Sequence, residues 1–367
     1  MKRLICLLLA VLLLGSACAV ENIKEPLPVF DEDPVPTESK IVINGSAPFE
    51  IYTLDGKQYV NIKDIAENTS ASFSIEQGNN VHKANLLYEK TVYTMTTDSQ
   101  GAEIFKDCLY DGADWYVDAK EIMAIFNFSV LEDVEQKTTY YTSYPKSDSI
   151  PEGAYVPTLM YHAVSDNVWS SIASLFVSPS KLEDQLKYLV DNGYTPIFFE
   201  DLANVDKIQK PVLLTFDDGY DDNYTELFPL LKKYNVKATV FLITGSVGTQ
   251  HYLTQEQIKE MNESGLVSFQ SHTVTHPYLD QVDEQTLEYE HYQSKLDVAR
   301  LTGKEPFVLC YPSGRNSQAS IEKTKEHYQF GLLMSGATYK TGNNPYRITR
   351  KYISRSTGLS DFISMIS

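Results

Sequence analysis

The stretch LLTFDDGYDDNY, from Leu213 to Tyr224, is a short apolar run that ends in two adjacent carboxylates, Asp217 and Asp218, and then Gly219. A strand-ending turn accounts for the glycine, because Asp and Gly favour turns. It does not account for two like charges side by side at the mouth of an apolar strand, whose repulsion costs free energy unless a cation offsets it. Two histidines, His272 and His276, stand four residues apart in SFQSHTVTHP, and that spacing can bring two imidazoles to one metal ion. Two imidazoles and a carboxylate leave coordination positions open for water and substrate. The chemistry these residues could do together is hydrolysis, one aspartate binding a metal and its neighbour moving a proton.

Residues so far apart need elements to bring them together. From Ser147 onward, short apolar runs alternate with helical patterns. VPTLMYHAV, TPIFFE, KPVLLTF, KATVFLI, LVSFQSH, FVLCYP, FGLLMS and RITRKYIS read as strands, nearly continuous in apolar character, as in strands covered on both faces. SPSKLEDQLKYLVDNG reads as a helix, with Ser178 as cap, Pro179 at its first position and Gly193 as its stop. NYTELFPLLKKYN, TQEQIKEMNESG, DEQTLEYEHYQSKLDVARLTGK and SQASIEKTKEHY read as further helices. Alternation of this kind predicts an α/β fold with a parallel sheet, and seven or eight units predict a closed (β/α) barrel. Asp217, Asp218, His272, His276, the Tyr311-Pro312-Ser313-Gly314 turn and His162 all fall at the carboxyl ends of strands. In a parallel barrel those ends form one face, where active sites are built. Asp221, Asp222 and Asn223 read as ordinary capping of the next helix.

Ahead of the barrel, residues 41–146 read as a small α+β domain with an internal repeat. LDGKQYVNIKDIAENTSASFSIE returns loosely as YDGADWYVDAKEIMAIFNFSVLE, predicting hairpin, helix and strand twice over, each hairpin turning at Asp-Gly. This stretch has no paired carboxylates and one histidine, His82, read as a surface residue. Residues 18–40 are rich in proline and acid and predict a tether. Residues 1–17, MKRLICLLLAVLLLGSA, have a basic start and an apolar run too short to span a membrane, and read as an export signal. Cys18 after Leu-Gly-Ser-Ala predicts a lipidated N-terminus, with cleavage at Ala-Cys-Ala and free secretion as the alternative. Past that point only Cys108 and Cys310 remain, which is no disulfide framework and no metal knuckle. With 49 acidic and 31 basic residues among 367 and a formal charge of −18, the chain should repel nucleic acid.

The pair TFDDGY and SHTVTHP resembles the polysaccharide deacetylase family, the carbohydrate esterases that share the NodB domain, over about Pro151 to the C-terminus. The resemblance implies a distorted parallel (β/α) barrel, Asp217 as general base, and Asp218, His272 and His276 on a divalent cation, zinc ahead of cobalt, nickel or manganese. YPSG resembles the family's third motif, which implies an oxyanion contact from the Ser313 N–H. LMYHAV with YPSG is similar to the poly-N-acetylglucosamine deacetylase subgroup. The implied partner is an acetylated polysaccharide outside the cell, with membrane contact only through the lipid at Cys18. Removal of O-acetyl groups from xylan or a modified glycan, and glycan binding without turnover, are the competing readings. Three departures stand out: Cys310 occupies the third motif's arginine position, so a clamp on the base is missing; the fourth motif's tryptophan is absent; and no histidine follows His327 to serve as late general acid. His162, ending the first strand beside the last, is the expected substitute acid. The region 41–146 weakly resembles the small domain named after the N-terminal part of copper amine oxidases.

Overall fold

A computed structural model describes residues 35–54, 57–78, 81–88, 91–96, 108–110 and 114–367. The expected export signal, Cys18 and both Asp-Gly turns lie outside the described residues. The chain forms two compact units, one taking residues 61–118 and the other residues 35–60 with 119–367.

In the first unit, helix Ile62–Glu67 starts at Asn61, whose side chain accepts from the Lys63 N–H. Strands Ser72–Gly78, Val81–Tyr88 and Thr91–Thr96 make an antiparallel sheet, and Cys108–Tyr110 pairs with Trp115–Asp118 as a hairpin. The order strand, strand, helix, strand occurs twice along the chain, over residues 49–78 and 108–133, each copy divided between the two units.

In the second unit, strand Val35–Ile43 pairs antiparallel with Phe49–Leu54 and parallel with Thr138–Thr142, which pairs in turn with Ser129–Asp133. The strand therefore begins inside the stretch expected to be tether. Proline excludes helix but not an extended edge, and Pro36 sits beside a register shift in that strand. Val42, Leu131 and Tyr140 of this sheet pack on Leu296 and Ala299 of the longest barrel helix.

The barrel strands are β1 Thr158–Tyr161, β2 Thr195–Ile197, β3 Pro211–Phe216, β4 Ala238–Leu242, β5 Val267–Ser271, β6 Val308–Cys310, β7 Phe330–Leu332 and β8 Lys351–Tyr352. They are parallel and ordered β7-β6-β5-β4-β3-β1-β8, with β2 against β3. Every residue of β3 and β4 is buried, as strands covered on both faces require. RITRKYIS supplies only two ladder residues, because it crosses between edges instead of running along one. Ile348 bridges to Leu332 of β7, and Lys351 pairs with Leu159 of β1. That crossing curls the sheet toward closure as a distorted barrel.

Helices α1 Pro179–Asp191, α2 Phe228–Tyr234, α3 Gln255–Glu263, α4 Glu284–Thr302, α5 Gln318–His327 and α6 Leu359–Ile366 accompany the barrel strands. Ser178, Thr254 and Asp283 accept from the third backbone N–H of α1, α3 and α4, satisfying donors a helix start leaves over. The α2 segment opens as one wide π-type turn, Asn223–Leu227, and Pro229, which lacks an N–H, falls in the first turn of α2 proper. VPTLMYHAV is not one strand either. β1 ends at Tyr161, and Ala163–Val164 pairs instead with Phe176–Val177, leaving His162 in the break.

Candidate active site

β3 leads straight into Asp217 and Asp218, and the turn there is tightly wound. Asp218 (φ 76°) and Gly219 (φ 77°) are both left-handed, a region costly for a residue with a side chain. The turn sends the adjacent carboxylates to different partners. Asp217 Oδ1 and Oδ2 each accept from Arg350 at 2.7 Å. Asp218 Oδ1 lies 3.4 Å from His272 Nε2 and 3.9 Å from His276 Nε2.

The Arg350 clamp corrects the expectation that the arginine was missing. With Cys310 at the third-motif position, the guanidinium comes from the closing segment before β8. It also donates to Thr215 Oγ1 (3.1 Å), the Leu333 carbonyl (2.8 Å) and Cys310 Sγ (3.1 Å). Arg350 is 1% exposed and Asp217 2%, so the pair is a buried, bidentate ion pair. Burial opposes the charge on Asp217, but Arg350, with His272 and His162, outweighs it and holds the carboxyl below its usual range.

His272 follows β5, and its Nδ1 lies 2.7 Å from the Cys310 carbonyl. A carbonyl only accepts, so Nδ1 carries a hydrogen, and Nε2 is the ring nitrogen that faces Asp218. Burial opposes protonation of His272, yet Cys310 and Asp218 raise its pKa above the ordinary value; a cation bound there releases a proton. His276 is left-handed (φ 57°), and burial and then the neighbouring His272 push its pKa down to about 4. The loop between the histidines is tied to α4: buried Glu290 accepts from the Val274 N–H (2.7 Å), the Thr275 N–H (3.0 Å) and Thr275 Oγ1 (2.6 Å). Sequence reasoning missed Glu290, although a carboxylate in register with Leu287, Ser294 and Val298 on the buried face of α4 was a readable signal.

Ligand atoms of Asp218, His272 and His276 all lie within 4.8 Å of one another. Two other sets among the described residues meet the same distance, Asp217/His272/Cys310 and Glu288/Glu326/His327. The first is already taken by the Arg350 cation, and burial keeps the Cys310 thiol protonated by raising its pKa. In the second, Lys323 bridges Glu288 and Glu326. Only the first-named set has donors facing a common point without a resident cation.

These groups open on a cleft of about 510 Å³, lined also by His162, Ser313, Tyr220, Tyr252 and Tyr311. His162 Nε2 stands 3.8 Å from Asp217 Oδ2. Ser313 sits in the turn Pro312–Gly314 with φ 54°. Thus all six residues singled out from sequence meet at one cleft, while Arg350 and Glu290 are additions. Among the described residues Cys108 and Cys310 form no disulfide.

A parallel barrel that gathers carboxylates and imidazoles at the carboxyl ends of its strands is built as a hydrolase would be. The polysaccharide deacetylase family model matches residues 204–329. YxkH of Bacillus subtilis (strain 168), which bears the polysaccharide deacetylase name provisionally, is 36% identical over 215 residues, 57% of this chain and 75% of that protein. The poly-beta-1,6-N-acetyl-D-glucosamine N-deacetylase of Staphylococcus aureus (strain NCTC 8325 / PS 47) is 26% identical over 201 residues, 50% of this chain and 69% of its own. The crystal structure of BC0361, a polysaccharide deacetylase from Bacillus cereus, superposes with a TM-score of 0.56 at 26% identity, covering 81% of this chain and 99% of that one. The chain belongs to the polysaccharide deacetylase family, hydrolases acting on carbon–nitrogen bonds other than peptide bonds.

Proposed function

We propose that the protein removes N-acetyl groups from an N-acetylglucosamine polymer outside the cell, using a divalent cation. The observation that carries this reading is the division of the two aspartates, Asp217 clamped by Arg350 and Asp218 facing two imidazoles. Asp218, His272 and His276 would hold the cation, and two nitrogens with one oxygen suit zinc first. Once bound, such a cation lowers the pKa of water and polarises a carbonyl.

The chain's own groups do the rest. Asp217 takes the proton of the attacking water, and Arg350 keeps its carboxylate ionised and aimed. The N–H of Ser313 donates to the oxygen of the acetamide carbonyl as negative charge develops on it. His162 Nε2 gives a proton to the departing amine. Burial lowers the pKa of His162, while Asp217 and Asp218 pull the other way, so a proton on Nε2 is surrendered readily. Acetate and a free sugar amine are the products.

The name of the Staphylococcus aureus relative supports a β-1,6-linked N-acetylglucosamine polymer as first substrate to test. The basic-then-apolar N-terminus supports export, and Cys18 supports a lipid anchor. Among the described residues, no helix is long and apolar enough to cross a membrane. Membrane fractionation of wild type against Cys18→Ala tests the anchor: wild type should sediment with membranes and the variant should not, and equal release of both would refute lipidation. The function is tested by acetate release from β-1,6-linked N-acetylglucosamine oligomers, chitin oligomers and peptidoglycan. Acetate should appear with an equal amount of free amine from at least one of them. No acetate from any, or acetate paired with new hydroxyl groups on an O-acetylated glycan alone, would overturn it.

A further inference from the structure

The residues after the metal-site turn, Asp222 and Asn223, do not cap a helix as their types suggest. Asp222 makes no side-chain cap on the helix it precedes. Both are buried, at 6% and 0% exposure, and both reach back to the break after β1. Asn223 Nδ2 donates to the His162 carbonyl (3.1 Å) and to Asp222 Oδ1 (3.0 Å). The Val164 N–H faces the Asp222 carboxylate and opposes the rise in its pKa that burial imposes. The two side chains therefore hold each other, and together hold the main chain at His162 and two residues beyond it. The Asp217 N–H donates to the Tyr161 carbonyl on the other side (2.9 Å). Asn223 also begins the π-type turn, an irregularity frequent at functional sites. Without these anchors nothing in the strand ladder fixes residue 162, since β1 pairing stops at Tyr161 and the next pairing starts at Ala163.

We infer that Asp222 and Asn223 are positioning residues for His162, fixing the kink that aims its imidazole into the cleft. This rests on the reading of His162 as general acid. A second observation points the same way. His162 Nδ1, Asp222 Oδ2 and Asn223 Oδ1 are all buried, and none has a protein partner among the described residues. Buried polar atoms are rarely left so, and finding them on these three residues makes this an environment built around a polar task rather than an apolar brace. A proton donor misplaced by an ångström loses much of its effect, so the loss should fall on the step that needs the acid.

The test uses the full-length enzyme, with an N-acetylglucosamine oligomer and an activated aryl acetate as paired substrates. Asn223→Ala and Asp222→Ala should each lower kcat on the amide about tenfold or more, within the range a general acid supplies, with KM within about twofold. The aryl acetate, whose leaving group needs little protonation, should lose about twofold at most. Asp222→Asn keeps an acceptor for Val164 and should recover most of the amide rate. Asn223→Asp has the same shape without the donor and should behave like Asn223→Ala. The decisive comparison is the double variant: on a His162→Ala background, Asn223→Ala should add little further loss. The same fold-loss with and without His162 overturns the inference, as does equal loss on both substrates. If His162→Ala itself fails to separate the two substrates, the acid reading falls and this inference with it. If His162→Ala separates them and the Asn223 and Asp222 variants do not, only the positioning role falls. Thermal melting of each variant identifies losses caused by unfolding, and for an unfolded alanine variant the Asn223→Asp and Asp222→Asn pair decides.

Discussion

Two adjacent aspartates with opposite partners are the chemical centre of this protein. Asp217 meets a buried guanidinium, and Asp218 faces the imidazoles of His272 and His276. The division predicts different failures from the same substitution. Asp217→Asn should retain about one divalent ion per chain and lose activity roughly a hundredfold or more. Asp218→Asn should lose the ion as well, since it removes one of three protein ligands. Metal analysis and turnover measured side by side check this, and identical behaviour of the two variants would refute the assignment. Arg350→Lys belongs to the same series. It keeps the charge but not the planar fork that meets both oxygens, so the ion should stay while turnover falls roughly tenfold or more.

At the scale of elements, what was legible in the sequence was what depends on local pattern. Apolar runs gave the strands, capping residues gave the helices, and the carboxyl-end rule gathered His162, Asp217, Asp218, His272, His276 and Ser313. The Arg350 clamp was not legible, because its partner is 133 residues away and a motif scan looks for arginine where Cys310 stands. An arginine in the middle of RITRKYIS, a stretch expected to be a covered strand, was the available sign. The break at His162 was hidden because LMYHAV is apolar on both sides of the histidine, and pairing partners are not written in composition. The turn after β3 does carry its own signal. Gly219 has φ 77°, and a Cβ there would sit 2.7 Å from Leu242 Cδ2 on β4. Gly219→Ala combines left-handed strain with overpacking and should cost about 1–3 kcal/mol. Because the strain falls one residue after Asp218, metal affinity should drop along with the melting temperature. A stable variant with full affinity would show that the turn has slack.

At the scale of the whole unit, the barrel is joined to the sheet before it by charge as well as by apolar packing. Arg300 on α4 donates from Nε to Asp133 Oδ2 (2.6 Å) and from a second nitrogen to Oδ1 (2.8 Å), with Glu135 at 2.8 Å. Asp133 is 1% exposed, so its charge depends on that fork. The hydrogen bonds from Arg300 hold its carboxyl below the usual range against burial. A carboxyl whose folded pKa is depressed stabilises the fold above its unfolded pKa, about 3.9, and loses that contribution as the pH falls through the folded value. Arg300→Met should therefore be destabilising at neutral pH by about 1–3 kcal/mol, a loss moderated by the partial exposure of the arginine. The gap to wild type should narrow as the pH falls from neutral, because the buried Asp133 left unpaired in the variant takes up a proton before the clamped Asp133 of wild type does. Replacing both partners, Asp133→Leu with Arg300→Met, should regain much of the loss, because no buried charge is then left alone. Melting temperatures of the three proteins at neutral and acid pH measure it, at roughly 2–4 °C per kcal/mol for a unit of this size. A double variant as unstable as Arg300→Met would mean that the shape of the fork, rather than the charge it neutralises, is what joins sheet to barrel.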